Sequence, residues 1–107
     1  MDGQQEKVTA LIEVKISPQH GEGYDRIAQR IYQYPQVDSL YLMTGSYDLL
    51  VTMTVESMKE VSVFVYEHLA TIEGVVGTAT GFVMKKYKEH GQVFASNPDQ
   101  EERIRFV

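Results

Sequence analysis

The chain has no cysteine among its 107 residues. This excludes disulfide staples and thiol chemistry, and it fits a reducing compartment such as the cytoplasm. No apolar run approaches the roughly 20 residues that a membrane-spanning helix needs. The polar start Met1-Asp2-Gly3-Gln4-Gln5-Glu6-Lys7 does not read as a signal peptide. An excess of basic residues is also missing. Lys and Arg number 10 against 15 Asp and Glu, a net charge of −5, which argues against binding of a phosphate backbone by this chain alone.

Several kinds of chemistry are missing as well. His20, His68 and His90 have no second His, Cys or acid at ligand spacing, so they read as surface or partly covered histidines and no metal is expected. Ser17, Ser46, Ser57, Ser62 and Ser96 lack a nucleophile context such as G-x-S-x-G. His20-Gly21-Glu22-Gly23 leads into a helix, but the third glycine of a dinucleotide loop is absent and Glu22 would repel phosphate. No cofactor is expected. Lys85, Lys86 and Lys88 read as a solvated strand end.

What is present is enough for one domain with a real core, since 43% of the residues are apolar. Residues 8–16 alternate. Val8, Ala10, Ile12, Val14 and Ile16 face one way and Thr9, Leu11, Glu13 and Lys15 the other, the pattern of a half-buried strand. Pro18, Gly21 and Gly23 break the chain into a loop. Tyr24, Ile27, Ala28 and Ile31 then fall at helical spacing, predicting a helix over 22–33 that Pro35 stops. Strands are predicted at 37–44, 47–55 and 75–87. Between the last two, Ser57-Met58-Lys59-Glu60 is a capping box opening a helix over 57–72, with Met58, Val61, Val65, Leu69 and Ile72 as its core stripe and Gly74 as its C-terminal cap. After residue 88, Asn97-Pro98-Asp99 reads as a turn and Arg103 to Val107 as a short edge strand. The expected core includes Ile12, Val14, Ile27, Ile31, Leu49, Val51, Val61, Val65 and Leu69.

The order β-α-β-β-α-β, with right-handed crossovers, gives an α+β, ferredoxin-like domain: one four-stranded antiparallel sheet with both helices on one face. The other face keeps Leu11, Leu50, Phe82 or Met84, and a row of threonines. A face that apolar is expected to be covered by a second subunit.

The stretch from Tyr41 to Val51 carries most of the functional content. Gly45-Ser46 between β-prone runs predicts a two-residue type II′ hairpin, because its first position needs φ > 0. Asp48 follows just inside the next strand, where a carboxylate is costly to bury unpaired. It either closes a bond onto its own turn or waits for a ligand ammonium. Thr78 and Thr80 alternate onto one face of the last strand. They are either simple β-formers or a pair of hydroxyls for a zwitterion.

In combination, Tyr41-x-x-Thr44-Gly45-Ser46-Tyr47-Asp48-Leu49-Leu50-Val51, a helix, and Ile72-Glu73-Gly74-Val75-x-x-Thr78-x-Thr80 resemble the C-terminal effector domain of the Lrp/AsnC (feast/famine) transcription regulators over about residues 8–88. The resemblance implies the same fold, a dimer through the sheet faces, dimers joined into larger rings of octamer type, and a small amino acid bound between dimers near the turn. It implies no catalysis and a cytoplasmic protein. Those regulators carry an N-terminal helix-turn-helix, whereas only seven polar residues precede the first strand here. The expectation is therefore an excised domain or a stand-alone sensor that does not bind DNA by itself. The domain plan is a flexible segment at 1–7, the effector-binding domain at 8–88 and an extension at 89–107.

The expected effector site comprises Thr44, Gly45, Ser46, Tyr47, Asp48, Thr78 and Thr80. Backbone N–H groups of Gly45 to Tyr47 would meet the amino acid's carboxylate and Asp48 its ammonium. Two rivals remain: a small dimeric ferredoxin-like enzyme of monooxygenase or isomerase type, with reactive groups between helices and sheet, and an assembly module without a ligand. The mostly aliphatic positions lining such a cavity disfavour the enzyme.

Overall fold

A computed structural model describes residues 7–17 and 23–94. The turn expected at Asn97-Pro98-Asp99, the strand expected at 103–107, His20 with most of its loop, and all of segment 1–7 except Lys7 lie outside the described residues.

Strands β1 (Val8–Ile16), β2 (Val37–Leu42), β3 (Leu49–Val55) and β4 (Val75–Phe82) form one sheet in the order β2-β3-β1-β4, every neighbouring pair antiparallel. Helix α1 (Gly23–Tyr32) joins β1 to β2, and α2 (Met58–Phe64) runs from β3 toward β4. The alternation on β1 and β3 puts Ala10, Ile12, Val14, Ile16, Leu49, Val51, Met53 and Val55 on one face. There they form a single buried cluster with Ile27 and Ile31 of α1 and Val61 and Phe64 of α2. Removing those side chains from water is the main favourable term, about 1.5–3 kcal/mol for each large one. Both helices therefore lie on one face, as the crossover rule requires.

Helix α2 starts as its sequence dictates. Ser57 is the N-cap, accepting from the Glu60 N–H at 3.3 Å. The Glu60 carboxylate reaches back one residue further than a standard box and accepts from the Glu56 N–H, also at 3.3 Å. The helix does not continue regularly to 72. It passes into one π turn, Val65–Leu69, closed by Ala70 N–H to the Val65 carbonyl at 2.8 Å. The extra residue per turn lets Phe64 and Leu69, five apart, face the same core, while Val65 is half-buried and Met58 is exposed. Phe64 is thus a core residue missing from the expected stripe. Gly74 is not the helix cap. It lies five residues beyond Leu69 with φ +100°, in the turn closed by Val75 N–H to the Ile72 carbonyl at 3.1 Å.

Three strand ends are shorter than expected. β2 stops at Leu42, β3 begins at Leu49, and β4 stops at Phe82. After β4 the chain forms a small hairpin of β5 (Lys88–Glu89) and β6 (Gln92–Val93). His90 and Gly91 have φ 53° and 80°, the signature of a two-residue type I′ turn. Lys85, Lys86 and Lys88 are exposed there, as expected of a solvated end.

The face without helices carries Leu11, Glu13 and Lys15 of β1, Leu50 and Thr52 of β3, and Tyr41 of β2. Leu11 is 39% and Tyr41 52% exposed. Phe82 does not belong to it. Its register partner is Ala10, and it packs against the core. Facing residues of neighbouring strands share a face, so on this side β4 presents Gly77, Ala79 and Gly81, the partners of Lys15, Glu13 and Leu11.

Candidate functional site

The Gly45 turn is longer than a two-residue hairpin. The Met43 N–H donates to the Asp48 carbonyl at 2.8 Å, leaving Thr44, Gly45, Ser46 and Tyr47 as a four-residue loop. Gly45 has φ +117°, a conformation that a side chain disfavours.

Three bonds tie this loop to β1. The Asp48 N–H donates to the Val14 carbonyl at 3.0 Å. The Ile16 N–H donates to Asp48 Oδ2 at 2.7 Å, a charge-assisted bond in a part-buried place. Lys15 Nζ donates to the Ser46 carbonyl at 3.0 Å. The β1–β4 register shifts between Lys15 and Ile16, where β1 leaves its regular ladder. The Asp48 carboxylate supplies the acceptor that the Ile16 N–H would otherwise lack. The Asp48 carboxylate therefore bonds a strand 32 positions earlier rather than its own turn.

Beside the loop, on the helix-free side, lies an open groove of about 240 Å³ lined by Ser46, Tyr47, Thr78, Glu13, Lys15 and the bare β4 backbone at Gly77 and Ala79. Of the expected residues, Ser46, Tyr47 and Thr78 meet there. Thr44 and Gly45 of the same loop, and Asp48 that closes it, do not line the groove. Thr80 is set apart. It does not line the groove, and the register, which pairs it with Ile12 and Thr78 with Val14, gives both threonines to the helix side of an edge strand, so Thr78 borders the groove without facing into it. Glu13 and Lys15 also line the groove and are not among the residues expected there. The signal was available: two opposite charges at i and i+2 on a strand face otherwise expected to be apolar. Among the described residues no group of His, Asp or Glu is arranged to hold a metal, and no helix is long and apolar enough to cross a membrane.

A carboxylate, an ammonium and a Gly-containing loop thus stand around a small groove, a set of groups that can pair with the two ends of a zwitterion. The model of the Lrp/AsnC ligand binding domain matches residues 9–93. The chain belongs to this family. It is 48% identical over 94 residues to an uncharacterised HTH-type transcriptional regulator, YugG, of Bacillus subtilis, an alignment covering 88% of this chain and 57% of that protein. The Lrp/AsnC domain described here thus spans little more than half the length of that curated relative. Among solved structures it resembles a transcriptional regulator of Neisseria meningitidis determined with L-methionine, at 26% identity and TM-score 0.69, covering 89% of this chain and 60% of that one. It also resembles TTHA0845 of Thermus thermophilus, at 24% identity and TM-score 0.67, covering 77% of this chain and 99% of that one; this second likeness shows the fold.

Proposed function

We propose that this Lrp/AsnC domain is a non-catalytic sensor of a small amino acid that binds at the Gly45 loop, at a junction between subunits of a transcription regulator. The observation that carries the reading is the groove in which Lys15 and Glu13 flank Ser46, Tyr47 and Thr78. The amino acid's carboxylate takes the Lys15 ammonium and the loop N–H groups from Gly45 to Tyr47. Its ammonium takes Glu13, with the Asp48 charge behind the loop adding to the pull. Thr44 and Thr80 complete the margin, Thr80 from a neighbouring subunit. The methionine complex of the Neisseria relative supports this ligand class.

The same domain dimerises through the helix-free face, where Leu11, Tyr41 and Leu50 lie, and dimers join further. A groove at the edge of that face lets ligand binding energy bias assembly, which is how a domain without catalysis signals. The chain alone does not bind DNA, in keeping with its net charge of −5.

The test is calorimetry against the common amino acids, coupled to light scattering. At least one amino acid is expected to bind and to change the particle mass. Failure of all of them to bind would leave a ligand-free assembly module as the better reading.

A further inference from the structure

β2 and β4 are the two edges of the sheet, and they are not alike. β2 carries Asp38, follows Pro35 and shifts register against β3 between Val37 and Ser39. A charge, a proline and a bulge are devices that keep an edge from pairing with another chain. From Val75 to Met84 the other edge has neither charge nor proline. Its irregularity lies at its start, where Val76 opposes no residue of β1 and is 64% exposed. The direction of the backbone groups on β4 follows from one bond. Val83 donates its N–H to the Thr9 carbonyl at 2.9 Å, one step beyond the pair Phe82–Ala10. Bonding alternates along an antiparallel pair, so Gly77, Ala79 and Gly81 turn N–H and C=O toward β1, and Thr78, Thr80 and Phe82 turn theirs outward. Among the described residues no strand meets them. From Val75 to Val83 the chain reads V-V-G-T-A-T-G-F-V, nearly the same in both directions about Ala79. Only Val76 and Phe82 break the match, and both are apolar.

We propose that the β4 edge pairs antiparallel with the β4 edge of a second copy, about a two-fold axis at Ala79. A two-fold contact uses the same patch on both chains, so a strand that reads alike in both directions is matched to itself. The register sets Thr78 against Thr80 of the partner subunit. Both turn their free backbone groups outward, so each such pair exchanges two backbone bonds, and Thr–Thr is a favourable cross-strand pair. A shift of two residues either way would set Thr78 against phenylalanine or Thr80 against valine. The nearest charges beyond the strand, Glu73 before it and Lys85 after it, are of opposite sign, and an antiparallel pair brings them to the same end. One strand pair is a small contact. It holds where copies are already joined and several such contacts act together, so it rests on the dimer through the helix-free face and serves as the junction between dimers. Gly77 and Ala79 also border the Gly45 groove, which places that junction beside it.

The chain has no cysteine, so a single introduced one reports the contact. Ala79 meets its own copy as a non-hydrogen-bonded pair, with Cα atoms about 4.5 Å apart and within disulfide reach. Ala79→Cys in the full chain, oxidised without added amino acid, is expected to give a covalent dimer. Thr80→Cys is not, because its two copies stand diagonally, about 7–8 Å apart. Thr80→Pro removes only an outward N–H, which an edge strand tolerates. It should keep the far-ultraviolet spectrum of the parent and lower the sedimenting mass to that of a dimer. Absence of the Ala79 cross-link, equal cross-linking of Thr80→Cys, or an unchanged mass in a folded Thr80→Pro would each overturn the proposal. If Thr80→Pro does not fold, the two cysteine variants decide. A parent that sediments as two chains would overturn the edge contact and leave the helix-free dimer standing, whereas a monomeric parent would overturn both.

Discussion

The Asp48 carboxylate accepts the backbone N–H of Ile16 at 2.7 Å and so joins the end of the Gly45 loop to the first strand. The contact separates two roles that a carboxylate at this position combines, an acceptor for backbone and a charge for a ligand. Asp48→Ala removes both and is expected to cost about 1.5–3 kcal/mol of stability. Asp48→Asn keeps an acceptor for Ile16 and should cost about half as much. Urea midpoints give the stabilities, and calorimetry on the same samples gives the ligand affinity. If Asp48→Asn binds an amino acid as tightly as the parent, Asp48 acts by holding the loop.

Gly74 offers a test of backbone strain. At φ +100° an added Cβ would sit 2.9 Å from Ile27 Cδ1. Gly74→Ala should lose about 1–3 kcal/mol, from the left-handed conformation together with that contact. Ile27→Val in the same chain relieves only the contact, so the double variant should recover part of the loss relative to simple addition of the two costs. Additive costs in thermal melts would assign the whole effect to the backbone.

The start of α2 depends on the Ser57 hydroxyl. Ser57→Ala is expected to cost about 1 kcal/mol, and Ser57→Asp less than that. Denaturation monitored by circular dichroism checks the order of the three chains.

Leu50→Lys places a charge in the middle of the helix-free face. An obligate interface there would remove more than about 2,000 Å² from water. The variant is therefore expected to sediment as a monomer with an unchanged far-ultraviolet spectrum. An unchanged mass would move the interface elsewhere.

Much of this architecture was legible because it rests on local patterns. The alternation of Val8 to Ile16 and the Ser57–Glu60 box act within a few residues, and strand and helix follow from them directly. The loop was misjudged because its shape depends on a partner far away. The alternation of Tyr47, Leu49 and Val51 extends the expected strand back to 47, but the strand begins only at Leu49, because the chain before it turns at Gly45 and is held to β1 by the bonds of Asp48 to Val14 and Ile16. The bulge between Lys15 and Ile16 left Thr78 and Thr80 opposite core residues, and a skipped pairing partner leaves no trace in apolar periodicity. The β5–β6 hairpin escaped notice because His90-Gly91 is a less usual pair for a type I′ turn than Asn-Gly.

The π turn at Val65–Leu69 bears on the length of this segment as well as on its shape. It behaves as a single inserted residue. Deleting one residue there would restore an unbroken α-helix with every backbone bond made, so nothing local would oppose it. Phe64 and Leu69 would then stand four apart, a spacing that shares one face of an α-helix, so both would still point into the core. The wide turn holds one residue of slack, and the parts on either side of it would keep nearly their present orientation. A deletion within Met58–Phe64 has no such slack and would turn the start of the helix against Phe64 by about 100°.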